Sequence, residues 1–499
     1  MSYKLDLSGL QRDGGTSITQ QLVDRISAAI EAGDLEPGSK LPPTRELAEL
    51  AGVNHLTAAR VYRKLAELGF VSASVGRGTF VRTLTPASSS SHGDDWQVYA
   101  LPPDEPSYSE QVLADTFSLA GRDDVISLAI GWPAPGTYPT DELARITAEV
   151  FEQEGGNALS YLPADGLFEL REQIATRGRA FGYAEDADEV VVTSGAQQAI
   201  ALCAQATLEP GDVAVVESPT FIGMMTAMRG TRARVIGVPV DEDGFDVDAL
   251  ERLLARHEVK LVGLQTACQN PTGRNISEER RARLAELAVE RNFFILEDRV
   301  YADMNFEGRF VRSLRELAPA HVLYVNSLSK VVGGGLRAGW VAARGPVRDR
   351  LAMLKLEADF HSPTLIQHIV ARWLATGAYE RHVKQTMPFY RDRRDALLAS
   401  LERHIAGEYH VDPPAGGHHL WVTLARPLDE RALYAEGARH GVTFTPGGAV
   451  TAERRSQTSF RLSFSLLDPE QLDEGVRRLA RAIREVRRRS RASIPAAMS

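Results

Sequence analysis

The sequence predicts two units of different fold class, a small α+β unit at the N-terminus and a large α/β unit built around a mainly parallel sheet. Three observations support this. The chain has 499 residues, 43% hydrophobic and 25% charged, an ordinary globular composition at a length too great for one small core. A polar, serine- and proline-rich stretch begins near residue 84. Beyond it, short β-branched runs alternate with helical patterns. The expected boundaries are 1–83 for the first unit, 84–110 for a linker, 111–490 for the second unit and 491–499 for a tail.

In the first unit, Ile18, Leu22, Ile26 and Ile30 recur every four residues, which predicts a helix with one apolar stripe ending near Gly33. Pro42-Pro43 marks a turn, and Thr44 is placed to cap a short helix through Ala51. Gly52-Val53 breaks that helix. Asn54 is placed to cap the next, whose Val61, Leu65 and Leu68 share a face and whose stop is Gly69. Phe70-Val71 and Thr79-Phe80-Val81 flank Gly76-Arg77-Gly78, the pattern of a small β-hairpin.

The stretch Thr85-Pro86-Ala87 followed by four serines and further prolines cannot bury a core and reads as a linker. The runs Val190–Val192, Val213–Val216, Val235–Val238, Leu261–Leu264, Phe293–Leu296 and Val322–Val325 then predict strands separated by helices, hence α/β layers. No internal repeat is visible. Arginines crowd Arg477 to Arg491, a pattern that suits a solvated helix end, with contact to nucleic acid as the competing reading.

Net charge is -9 and the pI is near 5.8, which for the whole chain argues against a nucleic-acid partner. Local charge says otherwise. From Lys40 to Arg82 seven basic residues face three acidic ones, a positive excess of the kind DNA binding needs, although a solvated charged surface would look the same. Cys203 and Cys268 form neither a disulfide framework nor a metal-ligand spacing, so no metal is expected. With no signal-like N-terminus and no apolar run of about 20 residues, the expected compartment is the cytoplasm, away from membranes.

Helix, tight turn, helix and hairpin is the order of a winged helix-turn-helix, whose second helix enters the major groove while basic groups hold phosphates. The run Leu41-Pro42-Pro43-Thr44-Arg45-Glu46-Leu47-Ala48, the Gly52-Val53 turn, Tyr62-x-x-Leu65-x-x-x-Gly69-Phe70 and Gly76 to Val81 together resemble the GntR family of repressors. The resemblance implies double-stranded DNA as partner. It places Thr44 and Arg45 at the backbone or a base edge, His55, Thr57 and Arg60 toward the groove, and Arg77 in the wing. Asn54-His55 stands where the family usually has Ser-Arg, which leaves base preference there open.

The large unit offers, mostly just after predicted strands, one candidate for each demand of pyridoxal phosphate: an amine, an acid for the pyridine nitrogen, donors for the phenolic oxygen, an aromatic face and phosphate ligands. Ser327-Leu328-Ser329-Lys330 with Arg337 and Gly339-Trp340 resembles the signature of fold-type I aminotransferases. That resemblance implies an α/β domain with a smaller C-terminal α+β part. It makes Lys330 the Schiff-base lysine, with Ser327, Ser329 and Arg337 toward the phosphate. Lys330 must lose a proton to react, and burial lowers a lysine pKa in that direction.

By the same resemblance Asp298 pairs with the pyridine nitrogen, while Tyr301 and Asn270 serve the phenolic oxygen, with Asn270-Pro271 in the cis form. Ser194-Gly195-Ala196-Gln197 opens a helix, so the amides of Gly195, Ala196 and Gln197 can cradle phosphate. Phe221 is placed to stack on the ring, a core phenylalanine being the alternative. Tyr161 would reach the other subunit of a homodimer, and Arg461 would grip a substrate carboxylate by its planar fork.

A GntR-type reader ahead of an aminotransferase-like body resembles the MocR/GabR subfamily. The implied function is transcription regulation of amino acid, amine or vitamin B6 metabolism, responsive to a small amine or amino acid and acting on an operator with two half-sites. The alternative is an active aminotransferase with a DNA-binding appendage. His418 and His419 read as packed or solvated, with a place in the pocket lining as the alternative.

Overall fold

The computed structural model describes residues 17–31, 34–35, 39–67, 70–74, 78–81, 107–119, 122–308, 310–453 and 457–492. The chain divides into two compact units, Met1–Glu105 and Pro106–Ser499.

In the first unit, α1 (Ile18–Glu31) buries Leu22, Val23, Ile26 and Ile30 against α3 (His55–Glu67), as its four-residue spacing requires. The start of α2 (Thr44–Ala51) differs from the expectation. Pro43 occupies the cap position in an extended conformation without a side-chain cap bond, and Thr44 is already the first helical residue. Gly52 ends α2 with φ 60°, its amide bonded to the carbonyls of Ala48 and Glu49, a conformation that costs glycine little. Asn54 does cap α3, its Oδ1 accepting from the Thr57 amide at 2.7 Å. Strands β1 (Val71–Ser74) and β2 (Gly78–Val81) pair antiparallel, and Lys40 bridges to Phe80 on the hairpin's other edge. Gly33, Leu68, Gly69 and Arg77 lie outside the described residues.

The second unit opens with α4 (Tyr108–Leu119), so positions 108–110 are helical rather than linker. The cause is a reciprocal capping box. The Ser107 amide and hydroxyl each donate to Glu110 Oε2 at 2.7 Å, and the Glu110 amide returns to Ser107 Oγ at 3.3 Å. Residues 84–106 lie outside the described residues.

A short parallel pair, β3 (Ile126–Ser127) with β14 (Val442–Thr443), ties the beginning of this unit to its end. The main sheet has eight strands: β4 (Val190–Thr193), β5 (Val213–Ser218), β6 (Arg234–Asp241), β7 (Gly244–Phe245), β8 (Val259–Leu264), β9 (Phe294–Asp298), β10 (Val322–Ser327) and β11 (Gly339–Ala342). Their order is β4-β11-β10-β9-β8-β5-β6-β7, and β11 and β7 alone run against the rest. All six strands anticipated from β-branched runs are in it. Near-continuous burial of β4, β5, β8, β9 and β10 explains why these lack polar alternation, whereas β6 is largely half-buried or exposed. A second, antiparallel sheet orders β12 (Tyr409–Val411), β13 (His419–Leu424), β16 (Ser459–Ser463) and β15 (Thr445–Pro446).

The last helix runs Pro469–Ala492, so its final two residues extend into the expected tail. Its arginines are largely balanced by glutamates: Arg477 and Arg478 meet Glu474, Arg487 meets Glu408, and Arg489 meets Glu436 and Glu485. Among the described residues no helix is long and apolar enough to cross a membrane.

Candidate functional site

Five parallel strands of the main sheet end on one edge, and each delivers part of a single cavity there. Ala196 and Gln197 follow β4, Phe221 follows β5, Gln265 and Asn270 follow β8, Asp298 closes β9, and Ser327 closes β10 with Ser329 and Lys330 next. Tyr301, Arg337 and Arg461 complete the wall of a cavity of about 500 Å³. Gly195 stands just behind it. Its φ is 90°, and a Cβ there would lie 2.7 Å from the Arg337 guanidinium, so only glycine fits.

Lys330 is half-buried, and its Nζ donates to the Gly131 carbonyl at 3.0 Å. Burial, with the Arg461 charge nearby, brings its pKa down to about 8, against the opposing pull of Asp298. The amine is therefore readily freed of its proton near neutral pH. Burial pushes Asp298 up to about 6, although the Val300 amide and Gln265 Nε2 (2.7 Å) donate to it. A cationic ring nitrogen beside that carboxylate would favour its ionised form.

At the other end, the Ser327 hydroxyl lies 2.8 Å from both Ser329 Oγ and the Ala338 carbonyl. Arg337 has φ 51° and donates to the Ser194 carbonyl at 2.5 Å. That contact sets a guanidinium beside the first amides of the helix Ala196–Thr207, a natural anion cradle. The peptide bond Asn270-Pro271 is cis, as expected, and so is Ser218-Pro219.

Arg461 projects from β16. It donates to Asn270 Oδ1 at 3.0 Å and to the Ala129 carbonyl at 2.6 Å, while its Nε is buried without a partner among the described residues. Burial lowers its pKa to about 10, which leaves it charged at neutral pH. A buried guanidinium with an unused donor fits an anionic ligand group.

Two histidines, for which packing or solvation is the favoured sequence reading and a place in the pocket the alternative, stand at this centre. His419 lines the cavity, its Nε2 3.0 Å from Tyr301 Oη and its Nδ1 2.9 Å from Ser463 Oγ. His418 lies fully buried behind it against Tyr390, and burial lowers its pKa to about 3. Burial also holds His419 well below the usual imidazole range, so both rings are neutral. Gly131 is the backbone that makes room, because a Cβ there would come within 2.3 Å of His419 Cε1. Nothing in the local sequence marks His419, since its partners lie 118 and 44 residues away.

Tyr161 is not part of this wall. It is 87% exposed, with its ring edge-on to His361 at 5.5 Å. In the first unit, Arg45, His55 and Arg60 are exposed and Thr44 and Thr57 half-buried, with His55, Thr57 and Arg60 on the first turns of α3. Leu47, Val61 and Leu65 are core, as read.

A neutralisable amine, a buried carboxylate, hydroxyl and amide donors, an aromatic ring and an anion cradle together fit pyridoxal phosphate. Comparison with known proteins agrees. Residues 123–479 match the model of aminotransferase class I and II, and residues 18–81 match that of bacterial regulatory proteins, gntR family. The chain is 33% identical to aromatic-amino-acid aminotransferase 1 of Thermococcus litoralis, over 75% of its own length and 91% of the relative's. It is 28% identical to the HTH-type transcriptional regulator YdcR of Escherichia coli, covering 93% and 99% of the two chains. With the probable rhizopine catabolism regulatory protein MocR of Rhizobium meliloti it shares 26% identity, over 95% of each. Among solved structures, LysN, the α-aminoadipate aminotransferase of Thermus thermophilus complexed with N-(5'-phosphopyridoxyl)-L-leucine, superposes with a TM-score of 0.70 at 32% identity, covering 77% of this chain and all of that one. Pyridoxal phosphate is the cofactor of this family. The aminotransferases match the second unit, whereas the regulators match nearly end to end. The chain belongs to the aminotransferase class I and II family and carries a GntR-type winged helix-turn-helix ahead of that domain, the two-part build of MocR-type regulators.

Proposed function

We propose that this protein is a ligand-responsive transcription regulator that uses pyridoxal phosphate at Lys330 to sense a small amine or amino acid. The observation that carries the reading is a cavity whose residues fit the cofactor, in the same chain as a GntR-type DNA-binding unit. Pyridoxal phosphate supplies an aldehyde that captures amines and a ring that draws electrons from them.

This chain's residues do the rest. Lys330 offers the amine, Asp298 holds the proton on the pyridine nitrogen, and Tyr301 and Asn270 donate to the phenolic oxygen. Phe221 covers the ring. Ser327, Ser329, Arg337 and the amides of Gly195, Ala196 and Gln197 hold phosphate, and Arg461 takes the effector's carboxylate. Exposed Tyr161 reaches the cofactor of the second subunit in a homodimer, so two readers meet two half-sites at fixed spacing. Arg45, His55, Thr57 and Arg60, with Thr44 and Arg77, contact duplex DNA, and the protein works in the cytoplasm.

The effector shifts the dimer between arrangements only through its differential affinity for them. Footprinting of the DNA beside its own gene, with and without pyridoxal phosphate and candidate amines, tests this. Protection that never depends on either refutes sensing. A second reading, net transamination, is favoured by Arg461 sharing the cavity with Lys330. Multiple turnovers of an amino acid and a keto acid, without preference for any promoter fragment, would support it instead.

A further inference from the structure

Beyond the groups that fit the cofactor, the cavity of about 500 Å³ has a wall of distinct chemistry. Its charged residues are Asp298, Lys330, Arg337 and Arg461, and each already has a counterpart in the cofactor or in an α-carboxylate. Among the described residues of the wall no charge is left over, because His419 is held neutral by burial. A second charge on the ligand would therefore meet no opposite charge among the described residues of that wall.

What remains is mostly apolar, the hydroxyls of Thr116 and Thr226 being turned back onto the carbonyls of Val112 and Gly223. Leu113, Thr116 and Phe117 reach it from one face of α4, at the i, i+3, i+4 spacing, and Ile130, Trp132 and Val300 continue the surface. Phe117 and Trp132 lie ring to ring, centroids 6.0 Å apart at 44°. They remain 58% and 44% exposed, so both rings still have area to bury.

α4 is also the first helix after the linker. Val112 packs it on Ile222, Ala449 and Val450, and Asp115 receives the Tyr434 hydroxyl at 3.4 Å. Ligand contact with Phe117 therefore bears on the element through which the chain leaves toward the reader.

Building on the sensing role proposed above, we infer that the effector is an α-amino acid with an uncharged apolar side chain, an aromatic ring fitting best, and that this side chain is held by Phe117 and Trp132 against α4. The full-length protein loaded with pyridoxal phosphate provides the test, with L-phenylalanine, L-alanine, L-aspartate and L-lysine as probes. L-Phenylalanine is expected to half-saturate the change in the cofactor's visible band at about tenfold lower concentration than L-aspartate or L-lysine.

Phe117→Ala, at an exposed position where folding is not at stake, should weaken L-phenylalanine about tenfold and leave L-alanine within about twofold. Amide exchange across Tyr108–Leu119 should slow when L-phenylalanine is added. If no amino acid perturbs the band of the loaded protein, the sensing role itself fails. If amino acids bind but aspartate or lysine leads, or Phe117→Ala leaves L-phenylalanine unaffected, or exchange in α4 does not change, sensing stands and the assignment of the effector class and its wall is overturned.

Discussion

Tyr301 Oη and His419 Nε2 lie 3.0 Å apart, and the other ring nitrogen of His419 is 2.9 Å from Ser463 Oγ. A neutral imidazole carries one N–H. If Ser463 donates to Nδ1 and Nε2–H donates to Tyr301, the tyrosine's own proton is free for the cofactor. His419→Leu removes that arrangement, and the expected result is about tenfold weaker binding of pyridoxal phosphate, the worth of one buried hydrogen bond. His419→Gln, which keeps a donor, should recover most of it. Equilibrium dialysis distinguishes the two, and equal affinities for both variants would refute the relay.

Lys330→Met should abolish trapping of the cofactor by borohydride, read as loss of the pyridoxyl mass on the Lys330 peptide. The same variant makes a stability prediction. The folded pKa of about 8 lies below the ordinary 10.5, so the unfolded chain binds more protons in that interval and stability of the cofactor-free protein rises with pH through it. The cofactor-free methionine variant should therefore be the more stable at pH 7, by up to about 3 kcal/mol, with the gap closing between pH 8 and 10.5. Denaturant midpoints across that range check the sign.

Asp298 carries the opposite slope. Its folded pKa of about 6 exceeds the ordinary 3.8, so the folded state holds the extra proton between those values and stability falls as pH rises through them. Asp298→Asn should relieve that penalty in the cofactor-free protein above pH 6, yet weaken pyridoxal phosphate by about a hundredfold through loss of the charge facing the ring nitrogen. Opposite changes in melting temperature and cofactor affinity are the signature.

Gly131→Ala places a methyl within 2.3 Å of His419 Cε1. Since the imidazole is pinned at both nitrogens, the backbone that receives Lys330 Nζ must move, at a cost of about 1–3 kcal/mol. Thermal melting of the cofactor-free variant, with cofactor affinity measured alongside, reads both effects.

In the reader, Asn54→Ala and Arg60→Ala should separate fold from contact. The first loses the cap on the Thr57 amide and about 1 kcal/mol of stability. The second leaves the melting temperature unchanged. If Arg60 meets a phosphate, it lowers affinity for the operator and its salt slope by about one unit, as fluorescence anisotropy would show.

Six of the eight strands of the main sheet, the helical stripe of α1 and the Asn54 cap were legible because each depends on neighbours a few residues away. The motif residues from Ser194 to Lys330 were legible for a related reason. They follow strands that all end on one sheet edge, so order along the chain already implies convergence in space. β7, β11 and α4 were missed, the first two being strands of two and four residues, the last a helix whose Ser107–Glu110 signal sits in proline-rich surroundings. Thr44 was misplaced by one position because a proline took its role.

Sequence by itself therefore determined the two fold classes and the nature of the cofactor, and singled out Lys330 as the candidate to receive it. Only the tertiary structure decided which groups share the cavity with Lys330. It brought His419 against Tyr301 across 118 residues, turned Phe117 of α4 into cavity wall, and set burial, which lowers the lysine pKa and raises that of the aspartate. Those properties depend on what the folded chain excludes from water, and no local spacing encodes that.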